Sequence, residues 1–215
     1  MDDNFISGQY DVGSKSKLKK FYDDNRIFIY SVLFTILIVI SAVSFYSYSQ
    51  NKKKTSLAQD YISANILIKN EDKDKALRIL KKIIYSDDST YSSLSLFLII
   101  NENLEEDNTK LLELYDHVLE NNKFEEEIKN LIILKKAFYE TKFDDEKKIL
   151  DTIKPLLGKE SIWKANALML AGNYFISKGE NLKAKEFFLQ VLDIKNLNNE
   201  IIEITKQKLR LINND

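Results

Sequence analysis

The chain has 215 residues, with 32 Lys and Arg against 33 Asp and Glu, one His and no Cys; 44% of it is apolar and 30% charged. The missing cysteine excludes disulfide support, attachment through a lipid-modified N-terminal cysteine and any thiol nucleophile, and with a single imidazole there is no Cys/His dyad and no zinc-ligand spacing. Only 5 Gly and 1 Pro are present, which excludes a Gly-rich phosphate loop and leaves a helix-rich composition.

Met1 to Ser16 is polar, contains Gly8 and Gly13 and shows no apolar period, so a mobile tail is expected. Lys17 to Asn25 sets Leu18, Phe21 and Tyr22 at roughly helical spacing beside lysines; a short interfacial helix and a disordered basic flank fit it equally. Ile27 to Tyr48 then runs without a single charged residue. About 22 residues rise roughly 33 Å as a helix, enough to cross the hydrocarbon core of a bilayer once. A cleaved signal requires a short basic leader and an apolar stretch of about 7–15 residues, and this run is too long and starts too late. The expected division is therefore a tail over 1–26, a single transmembrane helix over 27–48 and a soluble domain over 49–215.

Orientation follows the basic residues close to the span. Lys15, Lys17, Lys19, Lys20 and Arg26 precede it, whereas Lys52, Lys53 and Lys54 follow it. The bias places the N-terminus in the cytoplasm and the soluble domain outside. After Lys54 there are 24 basic and 28 acidic residues, a net of −4. A nucleic-acid partner needs concentrated positive charge and is not expected.

Beyond the span, Asn51 to Lys69 has no Gly or Pro and places Leu57, Tyr61, Ala64, Leu67 and Ile68 at helical spacing, so the membrane helix is able to continue into the domain. Asn70-Glu71-Asp72 interrupts, and Asp74 to Tyr85 forms the second arm of a helical hairpin. Three more pairs follow: Tyr91 to Asn101 with Thr109 to Glu120, Phe124 to Thr141 with Asp144 to Pro155, and Ile162 to Lys178 with Leu182 to Ile194. Glu200 to Ile212, with Ile201, Ile202, Ile204, Leu209 and Ile212 on one side, reads as a capping helix. No stretch alternates with period two, and no sheet is assigned.

Ala76, Leu111, Glu146 and Ala184 occupy matching places in the second helices, 35, 35 and 38 residues apart. That is close to the period of about 34 residues of tetratricopeptide repeats, in which each hairpin exposes an apolar face that only its neighbour covers. The expected fold is all-α: one transmembrane helix, then a tetratricopeptide-like solenoid of about four hairpins with a C-terminal cap. The fourth unit carries the fullest pattern, with Gly172, Phe175, Gly179, Ala184 and Phe188, and the first echoes it with Ala64, Leu67, Ala76 and Leu80. Glu146 breaks it, since a carboxylate is costly to bury; the third unit is expected to be loosely packed or differently registered.

A lysine-rich tail, one anchor, degenerate repeats, a Pro155-Leu156-Leu157-Gly158 turn and Trp163 opening the most regular repeat together resemble the bacterial YfgM family. That resemblance implies an ancillary subunit of the SecYEG translocon at the inner membrane. Its periplasmic repeat domain would connect newly exported chains with a membrane-anchored periplasmic chaperone or foldase, as a non-enzymatic adaptor. A scaffold for envelope biogenesis or cell-division complexes is the alternative.

The search for chemistry returns structural readings. His117, between Tyr115 and Val118, reads as a partly exposed helix residue. The acidic runs at Glu105 to Asp107, Glu125 to Glu127 and Asp144 to Glu146 coincide with helix starts, where carboxylates meet the positive end of the helix dipole, and none has calcium-loop spacing. Trp163 reads as core packing beside Ala167 and Leu170. No cofactor, metal or small-molecule substrate is expected. A protein-binding groove is expected on the concave face lined by first helices, at Tyr61, Asn65 and Ile68 in the first unit and Asn166, Met169, Asn173 and Ile176 in the last.

Overall fold

A computed structural model describes residues 12–143, 145–158 and 161–214. Its regular elements are all helices: α1 Val12–Lys69, α2 Lys73–Ile84, α3 Ser89–Asn101, α4 Asn108–Asn121, α5 Glu126–Glu140, α6 Glu146–Leu157, α7 Lys164–Ser177, α8 Asn181–Leu192 and α9 Asn199–Asn214. The chain divides between Ser56 and Leu57 into two units.

The first unit consists, among its described residues, of α1 up to Ser56. Within it Ile27, Phe34, Leu37, Ile40 and Phe45 are all exposed, and none of the apolar window is buried. By length and composition this helix is able to cross a membrane once. Three of its hydroxyls bond back to the helix: Ser31 donates to the Phe28 carbonyl, Thr35 to that of Ser31 and Ser41 to that of Leu37, at 2.8–2.9 Å. The helix takes in Val12 to Ser16, within the stretch expected to be a tail; residues 1–11 of that expectation lie outside the described residues. It also continues through the lysine cluster to Lys69, where no Gly or Pro stands to break it.

In the second unit, the end of α1 pairs with α2, α3 with α4, α5 with α6 and α7 with α8, and α9 closes the row against α8. From α2 to α9 successive helices are neighbours in space, as stacked hairpins require. Three hairpin turns use one device. The amide of Asp72 donates to the Leu67 carbonyl and that of Glu71 to Ile68; Leu104 and Asn103 repeat the pair on Ile99 and Ile100, and Glu180 and Gly179 on Phe175 and Ile176. Each is a Schellman closure, with the residue past the helix end at positive φ: Glu71 64°, Asn103 49° and Gly179 75°. Helix starts are capped by Asp88, Asp107 and Asp145, whose carboxylates accept from backbone amides of the first turn. Two of the three acidic runs thus hold helix caps, while Asp144 lies outside the described residues.

The apolar interior is shared along the row. One cluster joins Leu57, Ala64, Ala76 and Leu80 to Leu96, Leu111 and Tyr115, and ends at Ile132. The next begins one residue on, at Ile133, and runs through Ile149, Phe175 and Ala184 to Phe188. Helix α5 therefore belongs to both. Small residues matter at one crossing above all. A methyl group at Gly172 would stand 2.6 Å from the Phe188 ring, so α7 and α8 approach as closely as they do only because the side chain is missing.

Three sequence expectations are corrected. Residues Pro155 to Leu157 are the last turn of α6 rather than a turn between helices; fully buried Leu156 carries the helix past the proline, and Gly158 ends it. The matching position of the third unit is Ile149, not Glu146. Ala76, Leu111, Ile149 and Ala184 each stand fourth in their helix and are buried, at spacings of 35, 38 and 35 residues. Glu146 instead opens α6 half-exposed, and the third unit is differently registered. On α9, Ile204 faces outward at 40% exposure, and Thr205 is the buried residue, donating to the Ile201 carbonyl at 2.7 Å.

Candidate functional site

Helices α5, α7 and α9 are the first arms of consecutive units and stand side by side, so side chains one and two turns apart on each face a common space. That space is a groove of about 690 Å³. Helix α5 contributes Leu131, Leu134, Lys135 and Phe138; α7 contributes Asn166, Met169 and Asn173; α9 contributes Ile201 and Ile204. The lining is mostly apolar. Phe138 is 62% exposed although it is a large ring, which is the kind of surface a partner covers.

Polar groups interrupt the apolar lining: the hydroxyl-bearing Thr141, Tyr174 and Ser177, two asparagine amides and one lysine. Asn166 and Asn173 lie seven residues apart on α7, about 10.5 Å along the helix axis, with both amides open to the groove. Among the described residues Lys135 is the only charged one on the lining. Its ammonium sits 5.3 Å from the centre of the Phe97 ring on α3, held by a cation–π contact.

Behind the groove, polar contacts lock α5 against α7. The Trp163 indole donates to the Glu127 carbonyl at 2.9 Å, the Ser161 hydroxyl donates to the Glu127 carboxylate at 3.1 Å, and the Asn130 amide donates to Ser161 at 3.2 Å. Trp163 is half-buried at the start of α7, so it acts as a hydrogen-bonded latch and not as the core residue expected beside Ala167 and Leu170. On the far side, Lys183 donates to Glu146 at 2.8 Å and pairs with Glu180, and those two carboxylates hold its ammonium well above the ordinary lysine range.

The expected groove residues separate into two groups. Asn166, Met169 and Asn173 are brought together on the lining, while Ile176 packs against the second core cluster. Tyr61 and Ile68 pack on the first cluster, and Asn65 returns its amide to the Tyr61 carbonyl at 2.9 Å. Two groove walls were missed from sequence, those of α5 and α9. Exposed Phe138, three residues from Lys135, was the available signal on α5, hidden by the shifted register of the third unit. His117 lies elsewhere: Nε2 meets Asp87 at 2.8 Å, Asn121 lies 3.2 Å from Nδ1, and Tyr85 packs edge-on at 4.6 Å. It has an acid partner but does not line the groove.

A profile of the tetratricopeptide repeat-like domain matches residues 19–214. The chain belongs to the tetratricopeptide repeat-like family. No curated protein and no solved structure matches it. The match runs from the apolar helix to α9 and takes in the degenerate middle hairpins together with the regular outer ones. In a tetratricopeptide repeat-like solenoid the first helices line the concave side, which is where α5, α7 and α9 hold the groove. Such repeats are typically protein-interaction modules, and the partners of this family member are accordingly proteins.

Proposed function

We propose that this tetratricopeptide repeat-like protein is a single-pass membrane adaptor at the bacterial protein-export machinery, with its N-terminus in the cytoplasm and its repeat domain in the periplasm. The observation that carries the reading is the groove across α5, α7 and α9, an apolar floor flanked by the open amides of Asn166 and Asn173. An exported chain, still extended, offers both apolar side chains and unpaired backbone amides to such a surface. The resemblance to the YfgM family supports the Sec translocon and a membrane-anchored chaperone or foldase as neighbours. Anchoring through Ile27 to Tyr48 raises the effective concentration of a weak surface close to the translocon exit, so the adaptor works without catalysis.

A photo-crosslinker at Asn173, with one at convex Gln190 as control, tests the reading in cells. Adducts with translocon or membrane-bound chaperone subunits from Asn173 alone are expected. Their absence, or equal labelling from Gln190, overturns the adaptor reading. Cytoplasmic accessibility of a C-terminal tag would overturn the orientation.

A further inference from the structure

We infer that the groove selects segments carrying an acidic side chain amid apolar residues, and that Lys135 is the residue that makes the selection. The inference rests on the groove being the protein-binding surface. Its own ground is charge: among the described residues that line the groove, Lys135 is the one that carries charge and none is an Asp or Glu. Lys135 is exposed and its ammonium lies over the Phe97 ring, whereas the next residue on α5, Lys136, is paired with Asp116. A cation over an aromatic face keeps its outward N–H donors available, so an incoming carboxylate gains a charge-assisted hydrogen bond without displacing an internal partner. The ring also limits the lysine's freedom before binding, which reduces the ordering cost. Lys135 stands near the middle of α5, with Leu131 and Leu134 on one side and Phe138 on the other. The acidic residue of the bound segment therefore lies centrally, with apolar side chains to either side. Segments with a central lysine meet repulsion over the same apolar floor and are rejected.

The test uses the full chain in detergent micelles and three fluorescent leucine- and asparagine-containing peptides that differ only in a central Glu, Gln or Lys. Anisotropy titration should rank Glu over Gln over Lys, with Glu about 1.5- to fivefold tighter than Gln, the range of a partly exposed ion pair. Lys135→Gln should bring the Glu and Gln peptides to equal affinity, Lys135→Glu should invert the order, and added salt should narrow the wild-type difference. A preference for Glu that survives in Lys135→Gln, or equal binding of all three peptides to the wild type, overturns the selection while leaving the groove as a binding surface. Asn166→Trp, a bulky change at an exposed lining position, should weaken all three alike. Binding that ignores this change, or no binding at all, removes the groove reading and the selection with it.

Discussion

Gly172 shows how one atom sets a helix crossing. Its missing Cβ leaves room for the edge of Phe188, a ring with no exposed surface, and the neighbouring Phe175 stacks on Phe187 with centroids 5.4 Å apart. Gly172→Ala should therefore destabilise the protein by about 1–3 kcal/mol despite the better helix propensity of alanine, because packed backbone and ring have to move. Thermal denaturation in detergent reads this, and Phe188→Leu in the same chain should recover part of the loss; an unchanged midpoint for Gly172→Ala would mean the helices separate freely. Glu71 is the opposite case. It sits at φ 64° in the turn that Gly179 fills in the fourth unit. Glu71→Gly should stabilise by about 1 kcal/mol, since glycine adopts this conformation without the cost an L side chain carries. A lowered denaturation midpoint would contradict the turn geometry.

Between elements, Glu105 joins α2 to the loop before α4. It is nearly buried, pairs with Lys81, and accepts from the Asp107 amide at 3.1 Å. Burial pushes its carboxyl up, but the Lys81 hydrogen bond, the Asp107 amide and the nearby Lys81 and Lys110 charges outweigh it and hold the group below its ordinary value of 4.5. A carboxyl depressed in the folded state contributes stability that is complete above 4.5 and is lost as pH falls through the lower folded value. Chemical denaturation between neutral pH and pH 3 should thus show an acid-side loss that shrinks in Glu105→Gln; an identical slope in both proteins would place the acid sensitivity elsewhere. Asp107 is depressed likewise, chiefly by the Lys110 amide it caps, and contributes in the same direction.

For the whole solenoid, α9 is both a wall of the groove and the cover of the last hairpin. Ile201 closes a small cluster with Ala165, Leu168 and Val191, Leu209 and Ile212 close the larger one, and the Glu203–Lys206 pair lies exposed. Terminal repeats need such a polar outer side for solubility. Truncation after Leu197 should leave the chain aggregating on size exclusion and remove peptide binding; a monodisperse product that still binds would show that α5 and α7 suffice.

Much of this was legible in the sequence because it is local. An uncharged run of membrane-spanning length, the apolar period of each helix, the acidic runs at helix starts, and Gly172 facing a hairpin partner are all read within one or two turns of chain. The repeat period placed the hairpins, and it failed at Glu146, where helix starts and turn lengths move the buried position to Ile149. What only the tertiary structure decided is which side chains meet across repeats. Lys135, Asn173 and Ile204 lie on three helices about one repeat apart, and nothing in their separate periods distinguishes a lining residue from a buried one. Burial depends on the neighbouring hairpin, so α9 turns Ile204 outward and Thr205 inward, and α5 presents Phe138 to the groove. The sequence by itself determined a membrane-length helix and a row of helical hairpins; stacking those hairpins decided where the groove is and set Lys135 on its lining.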